Sequence, residues 1–399
     1  MHPRISRLAA RWSMPCVVLV VSCAGCRSGA TPHPAFVAGP NSPIPVGPQP
    51  SALTIADFNG DGRPDIVLTC GSPSDSQSGG AILLLLNDSA TRFTPSPGGR
   101  IQVSDSLTEL AVADFNGDGH IDVAAMGHDS YLVHLFLGDG MGRLSTAPAS
   151  PFPAHNGSRP HTHAIAAADV NDDGHADLLT TNADDDAIAV LLNDGSARFR
   201  PAPGSPFAAA GHPYSSLAIC DFNGDARLDV AAPLLHSGQI GVYFGDGSGR
   251  FGPAPGAPYR VAARPGFVHA ADLDGDGRPD LLATHDDVGM IDVLLNEGAG
   301  RFRFAPWSPL RIEAHVWSIV ADDFDGDGDR DAILSASPGR RLVLLLGDGR
   351  GGLKPAEWAG LETGESPSRL ASADVNADGR ADIVSTNHDS GDVTVLLRR

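Results

Sequence analysis

One nine-residue segment recurs seven times along this chain, and few folds accommodate that. Its first copy reads Asp57-Phe58-Asn59-Gly60-Asp61-Gly62-Arg63-Pro64-Asp65. The copies begin at Asp57, Asp114, Asp169, Asp221, Asp272, Asp323 and Asp374, at spacings of 57, 55, 52, 51, 51 and 51 residues. A period of this length signals a repeat architecture, in which each unit buries its apolar surface against its neighbours. Each copy lies between two short apolar runs, such as Leu110-Ala111-Val112-Ala113 and Ile121-Asp122-Val123-Ala124-Ala125. Runs this short, carrying β-branched residues, predict strands rather than helices.

A third strand follows in each unit, for example Ile188 to Leu192, Ile291 to Leu295 and Leu342 to Leu346. It ends in a turn such as Asn193-Asp194-Gly195 or Gly245-Asp246-Gly247. Asp-Gly between apolar runs is a strong hairpin signal. A weaker fourth segment starts at Phe93, Leu144, Phe199, Phe251, Phe302 or Leu353. Four strands per unit describe one propeller blade. The last unit stops at Leu397 without a fourth segment, while Phe36 stands 21 residues before Asp57. The same offset separates Phe93 from Asp114, Phe251 from Asp272, Phe302 from Asp323 and Leu353 from Asp374. The expected fold is therefore an all-β, seven-bladed β-propeller of four-stranded blades. Its N-terminal strand should complete the C-terminal blade and so hide two sheet edges.

With 47 Gly and 32 Pro the chain is rich in turn formers, as many short strands require. The formal net charge of −20 argues against a nucleic-acid partner, since phosphate binding needs a basic face. Much of the acid sits in the repeated segments, which points instead to bound cations. Calcium takes six to eight oxygens, and a loop with carboxylates or amides at positions 1, 3, 5 and 9 can wrap one ion. Gly at position 6 permits the sharp turn. The candidate ligands are Asp57, Asn59, Asp61 and Asp65; Asp114, Asn116, Asp118 and Asp122; Asp169, Asn171, Asp173 and Asp177. They continue with Asp221, Asn223, Asp225 and Asp229; Asp272, Asp274, Asp276 and Asp280; Asp323, Asp325, Asp327 and Asp331; and Asp374, Asn376, Asp378 and Asp382. An EF-hand would need Glu at position 12, where this chain has residues such as Leu68, Ala125 and Thr180. The fourth loop should bind weakest, because Ala226 replaces the glycine. The fifth and sixth, with four carboxylates each, should bind best. Up to seven structural Ca²⁺ are expected.

This pattern resembles the FG-GAP, or VCBS, repeat family, the propeller type of integrin α-subunit heads and many bacterial surface proteins. Phe251-Gly252 followed by Gly256-Ala257-Pro258 matches the family's namesake motif. The resemblance spans residues 36 to 397 and implies the propeller fold and calcium. It implies no particular ligand, because one fold hosts many functions.

The first residues read as a targeting segment. Arg4, Arg7 and Arg11 precede a short apolar stretch from Met14 to Val21, and then Ser22, Cys23, Ala24, Gly25 and Cys26. This resembles a bacterial lipoprotein signal, implying lipidation at Cys26, with Cys23 as the alternative. The expected organisation is a signal over residues 1–25, a linker over 26–35 and one propeller over 36–399. The chain would be exported and membrane-anchored, facing the periplasm or the cell surface, and touching the membrane through its lipid alone. Cys70 and Cys220 fall in the first and fourth repeats and are expected as two buried thiols.

Histidine is the remaining feature with chemical content. His128-Asp129, His236, His285-Asp286-Asp287 and His388-Asp389 fall between second and third strands. His155, His161, His163, His212 and His315 fall between blades. Both kinds of connection should emerge on the face opposite the Asp loops. His134 and His269 read as packing residues within strands, as do Trp307, Trp317 and Trp358 between blades. No nucleophile elbow, zinc-protease helix or phosphate loop occurs. The leading expectation is a non-enzymatic, adhesion-like envelope module binding a protein or glycan. Two alternatives remain. One is a carbohydrate-binding, lectin-like propeller. The other is a metalloenzyme, which needs three of His128, His161, His163, His212, His285, His315 and His388 to converge.

Overall fold

A computed structural model describes residues 35–71, 79–89, 91–155, 157–209, 211–285, 288–356 and 361–399. Seven antiparallel sheets follow one another along the chain, one for each Asp segment. Blade 2 is representative: Leu107–Ala113, Asp122–Gly127, Leu132–Gly138 and Leu144–Thr146 pair in sequence order. First strands of neighbouring blades lie against each other, which places them around the central axis. No helix occurs among the described residues. The ring closes as expected. Phe36–Ala38 pairs with Asp392–Arg398, in the register Phe36 to Arg398, Val37 to Leu397 and Ala38 to Leu396.

Buried apolar side chains fall into seven clusters, one between each pair of adjacent blades. Each blade is thus covered on both faces. This is why the second strands, such as Asp122–Gly127 and Asp177–Asn182, are buried at every residue rather than at alternate ones. It also explains why the sequence shows continuous apolar runs there. Position 2 of each loop is part of this core: Phe58, Phe115, Val170, Phe222, Leu273, Phe324 and Val375 are all buried. Phe115 meets Phe199 of the next blade edge-on at 5.7 Å between ring centroids, and Phe222 meets Phe302 likewise. Burying one such ring contributes roughly 1.5–3 kcal/mol.

Hydrogen bonds reinforce the same seams. Amides at the third-to-fourth-strand turns donate to position-2 carbonyls of the preceding blade, as from Gly142 to Phe58 and from Gly300 to Phe222. Asn193 and Asn296 donate side-chain N–H groups to the carbonyls of Phe115 and Phe222, both at 2.9 Å.

One detail departs from the sequence expectation. In blades 2 to 7 the fourth strand is split into two pieces that both pair with the third, as Phe199–Pro201 and Phe207–Ala208 do in blade 3. The interruption is Ala202-Pro203-Gly204-Ser205-Pro206. Its two prolines carry no N–H and cannot continue the ladder. Ser205 Oγ instead accepts from the Val190 amide at 2.8 Å, and Ser150, Ser308 and Ser42 do the same in blades 2, 5 and 7.

Cys70 is a buried free thiol. Cys220 is equally buried but disulfide-bonded, so only Cys70 meets the expectation of a free thiol. The expected signal with Cys26, and Asp286, Asp287 and Trp358, lie outside the described residues. No helix of the described residues is long and apolar enough to cross a membrane.

Candidate functional site

The seven Asp loops share one geometry. The position-1 aspartate accepts the position-6 amide through Oδ2 in every copy, at 2.7–3.1 Å. The position-3 side-chain oxygen accepts from the position-5 amide at 2.8–3.3 Å. Position 5 accepts from the position-7 amide at 2.8–3.0 Å. Side-chain oxygens from positions 1, 3 and 5 are thereby held in register, each fixed by the backbone it caps. Donor atoms draw within 4.8 Å of one another for Asp272, Asp274 and Asp276, and for Asp323, Asp325 and Asp331. These are the two loops with four carboxylates. In loops 1, 5 and 7 an arginine at position 7 also pairs with position 5, as Arg63 with Asp61, Arg278 with Asp276, and Arg380 with Asp378.

Position 6 has positive φ throughout. Ala226 adopts +67° where the other loops have glycine, the strain expected of the fourth loop. Position 4 is left-handed too, occupied by Asp172 (+58°) and Ala377 (+60°) in two loops, a demand the sequence reading did not identify.

Position 9 plays a different part from positions 1, 3 and 5. Asp65, Asp122, Asp177, Asp229, Asp280, Asp331 and Asp382 are completely buried. Oδ2 accepts from the position-2 amide at 2.9–3.1 Å. Oδ1 accepts from the amide ending the third strand at 2.7–3.0 Å. Each of these carboxylates staples its loop to the sheet. Burial, against the pull of those two amides, pushes Asp65 and Asp122 up to about 6 and the other five up to about 7.

The histidines do converge, in one sector of the ring. His128 follows the second strand of blade 2. His161 and His163 lie on the connection into blade 3, and His212 on the connection into blade 4. Donor atoms of His128, His161 and His163 fall within 4.8 Å of one another, as do those of His161, Asp184 and His212. The Nε2 atoms of His161 and His163 are 2.9 Å apart. Nδ1 of His128 contacts Asp129 Oδ1 at 2.7 Å, and Nδ1 of His161 contacts Asp184 Oδ1 at 3.2 Å. His212 approaches the same Asp184 oxygen at 3.5 Å and stacks on His236 at 3.9 Å. Tyr214 lies 4.1 Å from the His163 ring. Burial, then the neighbouring imidazoles and Arg369, push His163 down to about 2. The sequence reading missed Asp184. The signal for it was the Asp184-Asp185-Asp186 run, placed where other blades carry His-Asp.

The remaining histidines do not join this array. His155 pairs with Asp185 at 3.5 Å, beside Tyr131, which also contacts Asp185. His285 is buried against Asp292 at 2.9 Å in blade 5. His388 pairs with Asp389 at 2.8 Å in blade 7, and His315 is exposed. His134, read as a packing residue, is buried but bound to Asp105 at 2.8 Å. Trp307 packs between blades as expected, whereas Trp317 is exposed. Across the axis, Arg369 of blade 7 pairs with Glu109 of blade 2 at 2.9 Å and stacks over Phe267 of blade 5.

Comparison with known proteins places this geometry. No curated protein matches the chain. Among solved structures, it is similar to the BBS1N chain of a BBS1N–ARL6DN complex (TM-score 0.60, 9% identity, 92% of this chain and 98% of that one). It is also similar to an Agrocybe aegerita lectin that recognises non-reducing terminal N-acetylglucosamine (TM-score 0.54, 18% identity, 87% and 94%). A third is a putative 6-phosphogluconolactonase from Bacteroides fragilis (TM-score 0.59, 14% identity, 80% and 86%). At these identities the likeness is one of fold. The FG-GAP-like repeat matches at residues 57–125, 114–180, 169–232, 234–283, 272–334 and 323–385. Six matches running from residue 57 to residue 385 on a closed seven-bladed ring, a fold that suits a binding or scaffold module, mean that this chain belongs to the FG-GAP-like repeat family.

Proposed function

We propose that this chain is a calcium-stabilised binding or scaffold module of the cell envelope, presenting its loops to a protein or glycan partner and performing no catalysis of its own. The observation that carries this reading is the register of oxygen donors at positions 1, 3 and 5, repeated in seven loops on one face of the ring. Hard oxygen donors on a tight backbone turn suit Ca²⁺. Seven such ions would bring the net charge from −20 to about −6 and relieve repulsion between neighbouring carboxylates. A ring fastened in this way is a rigid support for loops on the opposite face, where binding residues gain most from a fixed scaffold. The envelope placement rests on the N-terminal arginines, apolar stretch and Cys26, with a lipid on that cysteine as the only membrane contact.

The test is metal content followed by melting with and without a chelator. We expect several Ca²⁺ per chain, the fifth and sixth loops holding theirs longest. A site kept 100-fold above its Kd contributes about 2.7 kcal/mol, so chelation that empties several such sites together should lower Tm by roughly 10 °C or more. Chain isolated from calcium-containing medium that carries no calcium, and a Tm indifferent to chelation, would refute the reading.

A further inference from the structure

We propose that His128, His161 and His163 form a site for one divalent transition-metal ion of the zinc and copper class, with Asp129 and Asp184 orienting two of the three imidazoles. This goes beyond the calcium reading and does not depend on it.

The three side chains come from two different connections, yet their donor atoms gather within 4.8 Å. The 2.9 Å between the Nε2 atoms of His161 and His163 has a metric meaning. Two nitrogens each about 2.05 Å from one ion lie about 2.9 Å apart at a right angle and about 3.3 Å apart at a tetrahedral angle. A carboxylate on Nδ1 fixes that nitrogen as the N–H donor and turns the Nε2 lone pair outward, the arrangement that orients metal-binding histidines. His128 receives this from Asp129 at 2.7 Å and His161 from Asp184 at 3.2 Å. One proton on His163 Nε2 can satisfy the lone pair of His161 or that of His128, but not both. A single cation satisfies all three.

The charges around the cluster agree. Asp129 and Asp184 supply negative charge beside the rings. Two cationic groups bear on the cluster and both face carboxylates: Arg369 is paired with Glu109 at 2.9 Å, and Arg159 with Asp185 at 3.9 Å. An all-nitrogen donor set disfavours calcium and magnesium and suits zinc, copper or nickel. The side chains of His128 and His161 keep 16% and 30% of their exposure, so the cluster opens to solvent. Three protein ligands on a tetrahedral ion leave the fourth position to water or to a carboxylate or imidazole of a binding partner.

The test uses the full chain in saturating calcium, so that the Asp loops are filled. Zinc is titrated calorimetrically, and cobalt(II) is followed by its visible d–d absorption. We expect one ion of each per chain, with the strong absorption of tetrahedral nitrogen ligation. H161Q and H163Q should each abolish the site, and D184N should weaken it about 10- to 100-fold. H388Q, in blade 7, should leave it unchanged. Equal melting in calcium identifies variants that keep the fold. If H163Q does not, the more exposed H128Q and H161Q carry the test. Absence of a saturable one-ion site with calcium bound, or unchanged zinc binding in H161Q, overturns the proposal. Zinc without calcium would leave this site standing and remove the calcium reading, and the reverse pattern would remove this one.

Discussion

Asp122 shows how much of a blade can rest on one carboxylate. It has no exposed surface, and its two oxygens accept the amides of Phe115 and Gly138 at 3.0 and 2.8 Å. Those amides belong to the Asp loop and to the end of the third strand, so the side chain closes a ring that backbone pairing alone leaves open. Asp122→Ala strands two buried donors, each worth about 1–3 kcal/mol. We expect a loss of about 2–5 kcal/mol in urea unfolding performed in chelator, where calcium plays no part, and a smaller loss for Asp122→Asn. A change under 1 kcal/mol in the alanine variant would show the staple to be dispensable. His269, in the first strand of blade 5, gives a pH signature instead. Burial first, and then the charge of Arg330, holds it down to about 4. Between about pH 4 and 6.5 the unfolded chain therefore binds the proton that the folded chain refuses. The neutral His269 favours folding above that window, and the advantage is lost as pH falls through it. A shift of this size corresponds to roughly 3 kcal/mol. The seven position-9 aspartates, shifted upward, act in the opposite direction. The informative quantity is thus the difference between wild type and His269→Gln, which should change by about that amount from pH 7 to pH 4.5. A difference independent of pH would contradict the assignment.

At the scale of the element, most of the blade was legible because its signals are local. The first residues of the fourth strands, Phe93, Leu144, Phe199, Phe251, Phe302 and Leu353, are the expected ones, since each is an apolar residue directly after an Asp-Gly or similar turn. The Asp loops were legible because position 6 tolerates little except glycine. The split fourth strand was written in the repeated Ala-Pro and Ser-Pro pairs, as at Ala202-Pro203 and Ser205-Pro206. It went unread because a serine hydroxyl taking over a ladder bond is visible only once the partner strand is in place. The role of position 9 was half legible. Its recurrence identified it, but not the fact that both of its oxygens point at backbone amides. The histidine array lay further from reach. Topology put nine histidines on one face, yet which of them meet depends on side-chain direction within connections that carry no period. His128, His161 and His163 converge while His285 turns inward to Asp292, and nothing in the residue types separates the two outcomes.

At the scale of the molecule, closure decides how these parts behave together. Each core cluster lies between two blades, so no blade is complete without both neighbours, and the ring has a seam only where chain ends meet. That seam is blade 7, where Phe36–Ala38 and Ile44–Pro45 both pair with Asp392–Arg398. The same segment carries Phe36 onto Phe324 of blade 6 at 6.4 Å, so it joins two blades as well as completing one. A chain beginning at Val46 would expose the third strand of blade 7 as a long apolar edge, and would remove Phe36 from the cluster between blades 6 and 7 and Ile44 from the one between blades 7 and 1. Exposed edges of this kind pair with other chains, and an opened ring loses the mutual support that makes unfolding of a closed repeat array cooperative. We expect the truncated chain to self-associate in light scattering and to unfold over a broader transition with a lower midpoint. The loss should begin in blades 6 and 7, as read by hydrogen exchange. A monomer with an unchanged, single sharp transition would mean that the remaining three strands hold blade 7 on their own. The N-terminal strand would then be an accessory to the ring rather than its clasp.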